Sequence, residues 1–315
     1  MKLFYKLFYL FLLVCFSGLG CISLGLTDIP VKELKAKYAQ PPSKFIDVDG
    51  LEVHYRDEGE GPVLVLFHGI FDSLHTWQGW VDELKPHYRI IRLDLPGWSI
   101  TGPPNFKYTL KNAIDFCENF IEALDLKRFY LVGNSLGGYL AWNYALKHPE
   151  EVDKLILIDP IAYSQDVPFE VNLFTVPVIG FFGTYITPRF IMENGVEDVF
   201  GDPDKLTDDI MDRFYDHCLR PGNRTVAREI LTLMADTART EDNQGAIGIP
   251  EIKPPTLVMW GGADVWVPTA LTEKWKKDLP SAKFIIYDGV GHTPQLEIPI
   301  RTAYDAHQFL SSSEK

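Results

Sequence analysis

The chain reads as an α/β protein: a mostly parallel sheet with helices on both faces and a helical cap inserted between two strands. Three observations carry this reading. Apolar runs of strand length recur along the chain and alternate with stretches of helical spacing. An antiparallel hairpin leads them. The alternation breaks once, between Ile161 and about Ile249, where no strand run occurs.

Each element follows from its residues. Lys44–Val48 and Leu51–Arg56 alternate apolar and polar positions across Asp49-Gly50, a dipeptide suited to a two-residue hairpin turn. Pro62–Phe67 is continuously apolar, as a strand covered on both faces requires. Leu74–Leu84 is amphipathic, Arg89–Leu93 reads as a strand, and Leu110–Leu124 as a helix. A strand at Phe129–Val132, a helix after Ser135 and a strand at Leu155–Ile158 follow. Beyond the break, strands at Pro255–Trp260 and Lys283–Tyr287 flank a helix near Ala270–Lys277, and a last helix covers Pro299–Leu310. Inside the break lie helix-like segments at Thr207–Leu219 and Arg224–Ala238 and an aromatic-rich region around Phe174–Tyr185. Residues 44–160 and 250–315 are therefore expected to form the core and 161–249 the cap. Residues 27–43 read as a linker or short helix.

Composition narrows the function. The chain has 315 residues, 46% of them hydrophobic, and a net charge of −13. A surface this acidic repels phosphate backbones, so nucleic acid is not expected as a partner. No cysteine–histidine cluster has metal-ligand spacing, and no metal or organic cofactor is expected. Cys117 and Cys218 lie in helical stretches and read as buried thiols. Cys15 and Cys21 belong to the N-terminal segment, where Lys2 and Lys6 precede an uncharged apolar stretch from Leu7 to Leu26. At about 1.5 Å per residue this stretch can cross a bilayer core of about 30 Å. It reads equally as a signal peptide, with Leu7–Phe16 as its apolar region, Ser17–Gly20 before the cleavage point and Cys21 as a lipid-modified lipoprotein cysteine. Either way, residues 1–26 predict an exported protein held at a membrane.

The chemistry centres on Gly133-Asn134-Ser135-Leu136-Gly137, between a buried strand and a helix. Glycines two positions either side of a serine allow the sharp turn that lifts its hydroxyl above the sheet edge. A hydroxyl needs a base to become a nucleophile, and the base needs an orienting acid. His292 sits in a loop after a strand and is the candidate base. Asp264 follows the strand before it, and the order Ser135, Asp264, His292 is that of nucleophile, acid and base. The alternatives are a helix-capping role for Asp264 and Asp159, which also ends a strand, as the acid. The N–H groups of Leu136 and Ile70, with Phe71 second, are the candidate oxyanion donors. His68 reads as a hydrogen-bonded structural residue. Phe71, Trp98 and Trp266 are candidate pocket walls. The cap aromatics Phe169, Phe174, Phe181, Phe182 and Tyr185 either line the pocket or pack the cap's own core.

These pieces resemble the α/β-hydrolase superfamily from about Ser43 onward, in its capped branch. The resemblance rests on FHGIF at Phe67–Phe71, DLPGWS at Asp94–Ser99, GNSLGG at Gly133–Gly138, GGADVWVP at Gly261–Pro268 and GHTPQLEIP at Gly291–Pro299. It implies a serine hydrolase working through an acyl-enzyme on a small apolar acyl substrate, an ester or a related compound. Serine at position 135 sets the chain apart from relatives with an aspartate nucleophile. Around Thr187–Phe190 and Gly201–Pro203 the cap resembles those of ring-cleavage-product hydrolases, which break carbon–carbon bonds. This chain has Ile70-Phe71 where those enzymes carry a polar, glycine-rich loop, and Thr293 where they carry tryptophan. A carbon–carbon bond hydrolase, a lipase-like acyl hydrolase and a catalytically silent binding module remain the alternatives.

Overall fold

A computed structural model describes residues 24–166, 172, 174–238 and 246–312. The N-terminal apolar segment expected as an anchor or signal lies almost wholly outside them, as do Phe169 and Cys21. No helix among the described residues is long and apolar enough to cross a membrane.

The chain folds around an eight-stranded sheet. The strands are β1 (Lys44–Val48), β2 (Leu51–Glu58), β3 (Val63–Phe67), β4 (Arg89–Leu93), β5 (Phe129–Asn134), β6 (Val152–Ile158), β7 (Thr256–Gly261) and β8 (Lys283–Tyr287), in the order β1-β2-β4-β3-β5-β6-β7-β8. β1 and β2 form the predicted hairpin, and β2 pairs antiparallel with β4. Every pairing from β4 onward is parallel. The helices are α1 (Val31–Tyr38), α2 (Gln78–Leu84), α3 (Leu110–Ala123), α4 (Leu136–Lys147), α5 (Pro177–Gly183), α6 (Arg189–Glu197), α7 (Asp208–Cys218), α8 (Asn223–Ala238), α9 (Thr272–Asp278), α10 (Pro294–Glu297) and α11 (Pro299–Ser311).

Two cores follow from the double covering of the sheet. Val65, Phe67, Leu131 and Trp260 belong to one, with α3 and α4, while Leu64, Leu66, Val132 and Met259 belong to the other, with α2 and α11. Neighbouring strand residues alternate between the two cores, which is why β3 and β5 had to be apolar throughout. Leu74–Leu84 divides into a 3-10 turn at Leu74–Trp77 and α2, because Ser73 caps the turn. Between β6 and β7 the regular elements described are helical, with α5 to α8 standing over the strand ends. α6 carries no strong sequence signal, since Gly195 and Asn194 interrupt its helical pattern.

Candidate active site

β5 ends at Asn134, and the chain turns at once into α4. Ser135 occupies that turn with φ 56° and ψ −117°, a strained conformation for a residue with a side chain. The turn is pinned on both sides: Ser135 N–H donates to the Ile158 carbonyl at 2.9 Å, and Tyr139 N–H donates to the Ser135 carbonyl at 3.0 Å. The flanking glycines are required by space. A Cβ on Gly133 would overlap the Gly137 carbonyl, and one on Gly137 would overlap the carbonyls of Phe67 and His68.

Asp264 and His292 come to the same rim from the ends of β7 and β8. His292 Nδ1–H donates to Asp264 Oδ2 at 2.7 Å, and the other carboxylate oxygen accepts Trp266 N–H at 2.7 Å and Val267 N–H at 2.9 Å. Three donors thus fix the carboxylate, and the imidazole tautomer leaves the lone pair on Nε2. That nitrogen is buried with no hydrogen-bond partner. It belongs to a side chain lining the same cavity as Ser135. Asn134 ties the two loops together by donating from its side-chain amide to the His292 carbonyl at 3.1 Å. Asp159, the alternative acid, does not bond His292. Its carboxylate accepts Gly261 N–H at 2.8 Å, and burial, reinforced by the adjacent Asp264 charge, holds its carboxyl well above the usual carboxylate range. A protonated Asp159 adds no second charge beneath Asp264.

The loop after β3 crosses the serine. Gly69 approaches so closely that a Cβ there would stand 3.1 Å from that of Ser135. His68 braces this loop: its Nδ1–H donates to the Gly69 carbonyl at 2.6 Å and its Nε2 accepts Leu95 N–H at 2.9 Å. Both nitrogens are used and burial pushes its pKa down, so the ring is neutral and structural, as expected. Among the described residues, no backbone acceptor pairs with the N–H of Ile70, Phe71 or Leu136, the three candidate donors. The DLPGWS loop is anchored alike, with Asp94 accepting Leu74 N–H at 2.9 Å and Ile100 N–H at 3.2 Å.

Of the candidate pocket walls, Phe71 and Trp266 line the cavity together with Phe174, Met192, Val196 and Leu231. Trp266 stacks near His292, with ring centroids 6.2 Å apart and 21° between planes. Trp98 is not a wall of this cavity: it packs edge-on behind Phe71, centroids 5.1 Å apart, because the DLPGWS loop turns it inward. The cap aromatics also divide. Phe174 faces the cavity, whereas Phe181, Phe182 and Tyr185 stand exposed on α5 and just beyond it. Neither reading of those three, pocket wall or cap core, holds.

Glu297 escaped the sequence reading. Its buried carboxylate accepts Gly291 N–H at 2.8 Å, Gly201 N–H at 2.9 Å and Asp202 N–H at 3.1 Å. It therefore locks the histidine loop to the segment after α6, where His292 N–H also donates to the Val199 carbonyl at 2.8 Å. Two clusters among the described residues bring three ligand-type side chains within 4.8 Å, one at the surface (His148, Glu150, Glu151) and one buried (Asp159, Asp264, His292). In the buried cluster the His292–Asp264 bond already uses the facing atoms.

A family model described as the alpha/beta hydrolase fold matches residues 62–299. The chain is an α/β hydrolase. This α/β hydrolase is 30% identical over 269 residues to a 2-hydroxy-6-oxononadienedioate/2-hydroxy-6-oxononatrienedioate hydrolase of Paraburkholderia xenovorans (strain LB400), across 81% of this chain and 90% of that protein. Its structure superposes on a bacterial membrane phospholipase A with a TM-score of 0.67 and 25% identity, covering 98% of both chains. A meta-cleavage product hydrolase from Pseudomonas fluorescens IP01 superposes with a TM-score of 0.70 and 23% identity, over 85% of this chain and 97% of that one. The protein is an enzyme and its reaction class is hydrolysis.

Proposed function

We propose that this α/β hydrolase cleaves neutral carboxylic esters with a long apolar acyl group, through an acyl-enzyme on Ser135. The observation that carries the reading is the Asp264–His292 bond of 2.7 Å, which leaves Nε2 unpartnered on a side chain lining the same cavity as Ser135. In this mechanism Ser135 Oγ attacks the ester carbonyl carbon while His292 Nε2 takes its proton, and Asp264 stabilises the imidazolium. His292 and Ser135 are not hydrogen-bonded in the free enzyme, and such catalytic contacts tighten on bound substrate. The oxyanion is received by the N–H of Leu136 at the start of α4 and of Ile70, each such donor contributing about 3 kcal/mol to the barrier. The imidazolium then protonates the departing alkoxide. Water, activated by the same imidazole, attacks the acyl-enzyme, and the released serine recovers its proton.

The cavity walls favour an uncharged chain. Its described lining is apolar apart from Asp72, Asn134, Ser135, His292 and Thr293, and none of these residues is lysine or arginine. A dianionic dienedioate, the substrate class in the name of the Paraburkholderia relative, would find no lysine or arginine in that lining to pair with its carboxylates, at a cost of several kcal/mol. The likeness to a membrane phospholipase A supports an acyl hydrolase. Carbon–carbon bond cleavage is the second reading, favoured by the 30% identity to that relative. A panel of p-nitrophenyl butyrate, p-nitrophenyl palmitate and a 2-hydroxy-6-oxo-dienedioate separates the two. The proposal expects kcat/KM on the palmitate to exceed that on the dienedioate by at least about a hundredfold. The reverse order would overturn it.

A further inference from the structure

Eight of the fifteen exposed large hydrophobic side chains among the described residues fall within positions 176–190. They ride on α5, on the turn after it and on the start of α6, and all eight are more than two-fifths exposed, Val178, Phe181, Phe182, Tyr185 and Phe190 by more than half. Phe181 packs its ring against those of Phe182 and Tyr185, at centroid distances of 5.7 and 5.3 Å, so they form one continuous patch. A contiguous apolar face on this scale marks a contact surface. Three further observations say what covers it.

The first is where the chain leaves the described residues. Gly25 lies so tightly against Thr187, in the patch segment, that a Cβ would overlap the Thr187 carbonyl. Arg224 holds this segment in place by donating to the Gly25 carbonyl, and the adjoining Leu26 is itself exposed. The uncharged apolar stretch Leu7–Leu26 therefore runs into the fold at the patch. At about 30 Å of helical length it matches a bilayer core. The second is the thinness of the wall between patch and cavity. Gly180 and Gly183 let α5 rest directly on Phe174, which lines the cavity, and Met192 and Val196 line it from α6, the next helix. The third is charge. With a net charge of −13 the chain as a whole is repelled by an anionic surface, which favours a lipid contact made by apolar and aromatic insertion.

We propose that residues 176–190 are a lipid-docking face, seated in the interface of the bilayer that the Leu7–Leu26 segment enters, with the active-site cavity opening toward the acyl chains. The docking stands on the patch and the chain path. Only the delivery of a membrane-dissolved ester rests on the function proposed above.

The test uses the full chain carrying Phe182→Trp, added to vesicles of phosphatidylcholine and phosphatidylethanolamine with brominated acyl chains. All seven native tryptophans are buried or half-buried, so the new indole dominates the change. Brominated lipid should quench that added fluorescence by at least half, in high salt as in low. In parallel, V178S/F181S/F182S/F190S should hydrolyse water-soluble p-nitrophenyl butyrate within twofold of the parent, yet lose at least tenfold on a long-chain ester dissolved in the vesicles. Fluorophosphonate labelling of each preparation reports the hydrolase separately. Absent quenching with labelling intact would overturn the docking and leave the hydrolase standing. Quenching with labelling absent would sustain the docking and remove the hydrolase. A detergent-soluble dimer that the fourfold variant splits, without lipid quenching, would give the patch to a second copy and overturn the proposal.

Discussion

Replacing Glu297 with glutamine tests how the cap segment and the histidine loop are held together. The native carboxylate receives two N–H groups on one oxygen, at 2.8 and 2.9 Å, and one on the other, at 3.1 Å. An amide of the same shape offers one acceptor oxygen and one NH2 group. With its oxygen toward Gly291 and Gly201 the amide opposes its NH2 to the N–H of Asp202, an exposed residue; turned the other way it opposes both glycine donors. Losing the charge-assisted bonds costs about 1.5–3 kcal/mol. Guanidinium unfolding should therefore show a lower midpoint with an unchanged slope. Gly291, one of the three donors, directly precedes His292. A small displacement of that loop should lower kcat on p-nitrophenyl butyrate by roughly ten- to a hundredfold, since catalysis depends on sub-ångström placement. If both the midpoint and kcat stay at parental values, Glu297 does not lock the two segments together.

Two further outcomes follow from the site's geometry. Asp264→Asn should keep its bonds to Trp266 and Val267 N–H but present NH2 to His292 Nδ1, forcing the ring proton onto Nε2. Steady-state kinetics should then show kcat down by about 10⁴-fold, and a fall smaller than tenfold would point to another acid. The second outcome concerns pH. Burial lowers the pKa of His217 from its ordinary value to about 3, so the folded ring is neutral while the unfolded one protonates below about 6.5. Its contribution to stability is complete above pH 6.5 and lost as pH falls from there toward 3. The loss from this group comes to about 2 kcal/mol between pH 7 and 5. Unfolding of the parent and of His217→Gln at both pH values isolates it, because contributions shared by both proteins, those of His68, His75, Asp72 and Asp159 among them, cancel in the comparison. Equal slopes in the two proteins would show that the ring is not held neutral.

What could be read from the sequence, and what could not, divides along the range of the interactions. The strands were legible because alternating or continuously apolar runs of strand length leave a local trace: β1, β4 and β8 have the bounds read from the residues alone. The Ser135 turn was legible because its two glycines frame the serine at fixed spacing, although only Gly133 is demanded by nearby backbone, that of Gly137; Gly137 itself is demanded by the distant carbonyls of Phe67 and His68. The role of Glu297 depends on donors about ninety-five positions away, and nothing in HTPQLE marks it. The spacing of Phe181, Phe182 and Tyr185 does not say whether their side faces a cavity or the outside. Trp98 misled for a related reason: adjacency to a functional loop does not fix the direction of a side chain. The resemblance to the α/β-hydrolase superfamily was correct at the level of family and fold, and the chain as a whole is similar to ring-cleavage-product hydrolases.

The most direct measurement is the mass of the full-length enzyme after reaction with a fluorophosphonate. The account predicts one adduct per chain, located on the peptide containing Ser135 and absent from Ser135→Ala, whose ester turnover falls by at least about a thousandfold. An adduct on a different residue, or turnover that survives the substitution, would contradict it.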